Sequence, residues 1–254
     1  MLCAVIRPAR SQSDVSAILD HLASAIRSRY LGGYSVSIER HQYAHPHYGH
    51  GLGGDNMREL SPPRPTFSDP RKAAASHITL ARLGDKLRYD LRNPVAERWQ
   101  WITDGRTVWC YRPDLNVYTV NPADPWPKLL GPGPGLPGVE WKYITKFLAI
   151  DKMAAQTKFI SDDLAPTRAC PGPSIALEIH LPDAPYVEDL RILSRTYLPC
   201  ETFIHGFKKG VHMTATDIDE TINWTFRDGP PAPDYFVFSP RKRAKQVKKI
   251  PRLD

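Results

Sequence analysis

Residues 98–120, RWQWITDGRTVWCYRPDLNVYTV, alternate apolar and polar positions around two turn signals, a pattern that predicts three short antiparallel strands. Asp104-Gly105 between two such runs is the strongest short-range hairpin signal, because a two-residue type I′ turn needs positive φ at both positions. That turn sets Trp101 opposite Val108 and Trp99 opposite Cys110 on one face, with Ile102 and Trp109 on the other. The second turn, Pro113-Asp114-Leu115-Asn116, sets Tyr111 opposite Tyr118 and Trp109 opposite Val120. Aromatic side chains therefore occupy both faces. A soluble antiparallel sheet usually wets one face, so this one calls for extra cover or for a ligand.

The flanking sequence extends the sheet. At 254 residues and 41% hydrophobic content the chain is long enough to bury a substantial core. Val15, Ile18, Leu19, Leu22 and Ile26 follow helical spacing, Ser13 or Asp14 is placed to cap that helix, and Gly32-Gly33 ends it. Strand patterns follow at 34–43, 77–83 and 86–91, the last two joined by Gly84-Asp85, and again at 155–160, 174–181, 189–198, 202–207 and 211–225. A second helix is predicted over 139–150, with Trp141, Ile144, Phe147 and Leu148 at its apolar positions. Residues 44–75, rich in His, Gly and Pro, read as a loop insertion, and 121–138 as a Pro/Gly loop. This order predicts one domain over 1–254, mainly β with helices (α+β), built on a single curved antiparallel sheet or open barrel.

Charge and motif content exclude several classes. The net charge of +7 points to anionic surroundings. No apolar run reaches the roughly 18 residues a membrane helix needs, and the patch at 2–6 is too short for a complete signal peptide. Residues 1–13 read as the remnant of one or as a disordered end. The cysteines (Cys3, Cys110, Cys170, Cys200) form no CxxC pair, which argues against zinc or thioredoxin-like chemistry. Cys110 reads as a small buried hydrophobe; whether Cys170 and Cys200 are bonded is left open. His41, His45, His47 and His50, with Asp55 nearby, sit in a Gly-rich context that suits a polar loop better than a metal site. No GxSxG, HExxH or Gly-rich phosphate loop is present, so no enzyme and no cofactor is expected. Arg241, Lys242, Arg243, Lys245, Lys248 and Lys249, within a basic tail at 241–254, suit a solvated end or anionic lipid head groups; no nucleic-acid motif accompanies them.

Three segments in order resemble the LolA/LolB superfamily, the periplasmic carriers of bacterial lipoproteins. They are ILDHLASAIRSRYLGGYSVSIER at the start, KLRYDLRNP followed by ITDGRTVWCYRPDLNVYTV, and INWTFRDGPPAPDYFVFSPRKRAKQV near the end. The resemblance covers most of residues 14–248. It implies an incomplete, half-open barrel covered by helices, a hydrophobic cavity for acyl chains, and a periplasmic or otherwise extracytoplasmic location. The cavity candidates are Tyr89, Trp99, Trp101, Trp109, Tyr111 and Tyr118 on the sheet, closed from below by Leu22, Ile26, Trp141 and Phe147. The implied function is a non-enzymatic carrier or sensor of lipid or lipoprotein acyl chains. The alternative is an envelope protein-interaction or regulatory module with no small ligand.

Overall fold

The computed structural model describes residues 12–44, 74–92, 98–123, 144, 146–180, 187–205 and 218–250. Twelve strands form one sheet: β1 (Tyr34–Ala44), β2 (Ala74–Leu83), β3 (Lys86–Arg92), β4 (Arg98–Thr103), β5 (Thr107–Arg112), β6 (Val117–Pro122), β7 (Thr157–Leu164), β8 (Ser174–Ile179), β9 (Val187–Leu193), β10 (Pro199–His205), β11 (Ile218–Phe226) and β12 (Lys245–Gln246). Their spatial order is β12-β6-β5-β4-β3-β2-β1-β11-β10-β9-β8-β7. Two meanders, β6 to β1 and β11 to β7, thus meet where β1 pairs with β11. All pairings are antiparallel except the two-residue β12–β6 pair at one edge, which is parallel.

The expected α+β half-barrel covered by helices is corrected here. The chain is mostly β; its sheet is not closed, and the two edge strands are β12 and β7. Among the described residues its one long helix is α1 (Gln12–Gly32), with short 3-10 turns at Ile150–Gln156 and Pro233–Phe236. Of the helix predicted over 139–150, the described part is helical at Ile144, Lys146 and Phe147 and then tightens into the 3-10 turn. Its start, with Trp141, lies outside the described residues, as does most of the 44–75 insertion with His45, His47, His50 and Asp55.

One apolar stripe explains where α1 lies. Val15, Ile18, Leu19, Leu22 and Ile26 are all buried, and they join Val36, Ile38, Ile78, Leu80, Trp101, Leu177, Ile222 and Trp224 in a single core. The sheet face that meets α1 is called the inner face below. At the helix end the chain reverses through Gly33, at φ +93°, where an added Cβ would lie 3.0 Å from a Leu83 methyl and 3.1 Å from both the Arg82 carbonyl oxygen and Pro230.

The 103–108 hairpin departs from the predicted register. Thr103 pairs with Val108, so Trp101 faces Cys110 rather than Val108. Gly105 is at φ +95° while Asp104 keeps a negative φ, so the turn is not the two-residue type. The reason is local. The Asp104 carboxylate accepts the backbone N–H of Arg106 and of Thr107, each at 2.8 Å, and this side-chain cap stabilises a longer loop. A slip of two residues keeps every side chain on its predicted face, and the Tyr111–Tyr118 and Trp109–Val120 pairs form as predicted.

Candidate functional site

The ten cavity candidates separate by face. Leu22, Ile26, Tyr89, Trp101 and Phe147 come together on the inner face, each nearly fully buried. Tyr89 meets Trp101 edge-on at 5.4 Å, Phe147 meets Trp224 edge-on at 5.6 Å, and Trp99 stacks on Trp101 at 5.1 Å. The guanidinium of fully buried Arg112 lies 4.4 Å above the Trp99 ring and is held by Asp114 through bonds of 2.9 and 2.5 Å. Cys110 packs against this core, and burial pushes its thiol up to about 11. These residues fill the space between sheet and helix. Trp109, Tyr111 and Tyr118 point the other way and gather around Phe238, at 5.6, 5.9 and 5.2 Å between ring centres.

Two clefts open on the outer face. Register places a row of polar residues across seven adjacent strands, each directly opposite the next: Arg98, Arg92, His77, Glu39, Asn223, Glu201 and Arg191. A cleft of about 680 Å³ lies over Glu39, His41, His77, Glu201 and Asn223; a neighbouring one of about 510 Å³ lies over His77, Arg92, Arg98 and Arg241. His77 and Thr79 line both.

Glu201 is the most perturbed group of the row. It is 2% exposed. Burial pushes its carboxyl up to about 7, against the pull of the Arg191 guanidinium. Arg191 Nη1 lies 3.6 Å from Glu201 Oε2. The same guanidinium donates to Ser174 Oγ at 2.7 and 3.2 Å and to the Ala165 carbonyl at 3.1 Å. Glu201 Oε2 and Asn223 Oδ1 are both buried and accept no hydrogen bond among the described residues. A buried acceptor left without a donor costs about 1–3 kcal/mol, so this floor is chemically primed for a group that donates.

A covalent clamp shapes the cleft wall. Thr167, Arg168 and Ala169 belong to the loop between β7 and β8, and the Cys170–Cys200 disulfide ties that loop to β10 beside Glu201. The Thr167 N–H donates to the Cys170 carbonyl at 2.8 Å, and the Cys170 N–H donates to Thr167 Oγ1 at 3.0 Å. Among the described residues no group of three or more His, Cys, Asp or Glu is placed to hold a metal ion. The described part of the basic tail lies along the edge of β6: the Lys245 N–H donates to the Asn116 carbonyl at 3.0 Å and the Val247 N–H to the Tyr118 carbonyl at 2.9 Å.

Sequence reasoning passed over the outer row. Its local trace is the alternation of Ser37, Glu39 and His41 with Val36 and Ile38, repeated as His77 and Thr79 against Ile78 and Leu80. Each strand alone reads as an ordinary wetted face; only the register across the sheet aligns the polar positions into one row.

No protein-family profile and no curated protein matches the chain. Solved structures similar to it include a chain of the Pseudomonas aeruginosa MucA/MucB complex, 15% identical at a TM-score of 0.44, covering 89% of this chain and 61% of that one. This chain therefore spans about three fifths of that protein's length. An uncharacterized conserved protein from Thermus thermophilus is 11% identical at a TM-score of 0.45, covering 92% of this chain and 98% of that one. A DUF1329 family protein from Desulfovibrio piger is 9% identical at 0.34, covering 88% and 97%. At these values the likeness bears on no residue of either cleft.

Proposed function

We propose that the chain is a non-catalytic binding module of an extracytoplasmic compartment that engages a partner protein through the outer face of its sheet. The observation that carries this reading is the pair of buried acceptors, Glu201 Oε2 and Asn223 Oδ1, beneath a cleft of about 680 Å³. Backbone or side-chain N–H groups of a partner segment would satisfy both. On the inner face the apolar side chains are already spent on one another and on α1. The Cys170–Cys200 bond fits the location, since disulfides persist in oxidising compartments. Among the described residues no helix is long and apolar enough to cross a membrane.

The acyl-carrier reading asks more of the fold. An acyl chain gains about 0.8 kcal/mol per CH₂ removed from water, but α1 would first have to leave Trp101, Ile38 and Trp224. Native mass spectrometry of the gently purified full chain and titration with a fluorescent fatty-acid probe separate the two readings. The expected result is the bare polypeptide mass and no probe uptake, and a photocrosslinker at exposed Thr225, beside the cleft, should capture a single envelope protein that Glu201→Gln or Asn223→Ala releases. A crosslinker at Ser24 on α1 should not capture it. Stoichiometric co-purifying lipid would replace this reading with the carrier.

A further inference from the structure

The second outer cleft has a different chemistry. Arg92 and Arg98 stand directly opposite each other across β3 and β4, and His77 follows on β2. Like charges directly opposite each other destabilise a strand pair. Neither guanidinium makes an ion pair or hydrogen bond among the described residues. Among the described residues Asp90 is the one carboxylate lining the cleft, and it is already engaged: its two oxygens accept from Arg88 at 2.7 and 3.3 Å and from the Gln100 amide at 2.7 Å. Arg241 closes the rim, its backbone N–H donating to Tyr111 Oη at 3.2 Å and its guanidinium to the Pro113 carbonyl at 3.4 Å. The result is a cavity of about 510 Å³ whose Arg92 and Arg98 guanidinium groups are unspent among the described residues.

Its surroundings say which anion it takes. The ordered strap that carries Arg241 goes on to exposed Lys242, Arg243, Lys245, Lys248 and Lys249. Just before the cations, Val237 is 61% exposed, and Val120 on the neighbouring strand is 40% exposed. Half-buried Trp109 pairs with Val120 across the strands and, with Tyr118, packs on Phe238, the residue after Val237. Cations, aromatic rings at the margin and exposed aliphatic side chains form the composition of a surface that rests on a bilayer interface. An acidic protein segment would use the cations and leave the two valines unexplained.

We infer that this end of the outer face is a docking surface for an anionic phospholipid bilayer, with a lipid phosphate seated between Arg92, Arg98 and Arg241 and the Lys/Arg strap lying over neighbouring head groups. Arginine forks match phosphate oxygens in a bidentate way that lysine does not. The surface adjoins the Glu201 cleft along His77 and Thr79 but uses other donors, and it does not depend on the partner reading proposed for that cleft.

Co-sedimentation of the full chain with large vesicles tests the inference. Vesicles of phosphatidylcholine with phosphatidylglycerol should bind the protein and vesicles of phosphatidylcholine alone should not, with loss of binding in high salt. Each neutralised cation should weaken binding about fivefold, so Lys248→Gln/Lys249→Gln should lose about 25-fold. Arg92→Gln/Arg98→Gln should lose more than that, because it also removes the phosphate seat. Arg92→Lys/Arg98→Lys, which keeps charge but not the fork, should fall between wild type and the Gln pair, and Val237→Ser should weaken binding severalfold at unchanged charge. Thermal melts of the Arg pair should match wild type or exceed it, since a like-charge pair is relieved. Equal binding to both vesicle types would overturn the inference, as would a Gln pair that binds like wild type. A ten-residue polyglutamate that displaces the protein as well as excess anionic vesicles would overturn it in favour of an acidic protein segment. Neither the acyl-probe titration nor the Thr225 crosslink should respond to these variants.

Discussion

The two faces of one hairpin are put to opposite uses. On the inner face Trp99 and Trp101 stack on each other and the latter sits in the helix-covered core; on the outer face half-buried Trp109 and Tyr118 and buried Tyr111 gather around half-buried Phe238. Both sets carry the same apolar payload. The rings of the inner set are packed against one another and within the core that α1 covers, although Trp99 Nε1 there is buried without a hydrogen-bond partner among the described residues. Across the outer face, by contrast, buried acceptors and unspent guanidinium groups coexist with exposed valines. Apolar abundance therefore marks where this fold is held together, and unsatisfied polarity that also lines an open cleft marks where it is open to recognition.

The largest effect should come from breaking the inner set. Trp101→Ala removes a side chain that is 2% exposed and should destabilise by about 3–5 kcal/mol. Trp109→Ala removes a half-buried ring whose stacking on Phe238 accounts for about 0.5–1.5 kcal/mol beyond its area, so its loss should be well under half as great. Urea melts followed by far-UV circular dichroism read both. Equal losses would erase the distinction between a structural and an available face.

The next effect lies in pH. The Glu201 carboxyl is held up at about 7 against its ordinary 4.5, so the folded chain keeps a proton that the unfolded chain has released. Ionisation thus opposes folding. The contribution is complete below 4.5 and is lost as pH rises through about 7, by about 3 kcal/mol at most. Glu39, His41, His77 and Arg168 line the same cleft, and Arg191 lies beneath it. Glu201→Gln keeps the shape and removes the proton. Melts between pH 4.5 and 8 should lose most of their downward slope in that variant; an unchanged slope would assign it to other groups and remove Glu201 from the argument.

How much of this was legible beforehand follows from the range of the interactions. The stripe Val15, Ile18, Leu19, Leu22, Ile26 is a local pattern with a local consequence, and it marks the helix and its buried face correctly. The strands of the 98–120 meander and the faces of its aromatics are local in the same sense. Which of those faces α1 covers depends on the helix sharing one core with residues as distant in sequence as Ile222 and Trp224, and no periodicity carries that. The outer row is less legible still: Glu39, Asn223 and Glu201 become neighbours only through the β1–β11 and β10–β11 registers. The two helices were read from residue spacing and the half-barrel covered by helices from the resemblance, and that fold class had to be corrected to a mostly β chain with an unclosed sheet. Trp141 lies outside the described residues.

The smallest effect returns to the turn where prediction and structure part. Asp104 is exposed, and the backbone N–H groups of Thr107 and Arg106 hold its carboxyl below the usual range. A depressed carboxylate contributes stability above its unfolded pKa and loses it as pH falls through the folded one. At so wet a site the two bonds are screened, and Asp104→Ala should destabilise by no more than about 1 kcal/mol near neutral pH. The difference between wild type and variant should shrink toward zero in acid. Asp104→Asn keeps an acceptor without the charge, so it should retain part of the stability with little of that pH dependence. The variant also probes the register. If the side-chain cap is what lengthens the loop, Asp104→Ala should free the hairpin to take the two-residue turn, bringing Trp101 opposite Val108 without moving any side chain to the other face. Cross-strand backbone NOEs would then shift from the Thr103–Val108 pair to Trp101–Val108. An unchanged pattern would mean that the β3 and β6 neighbours, rather than Asp104, hold the register.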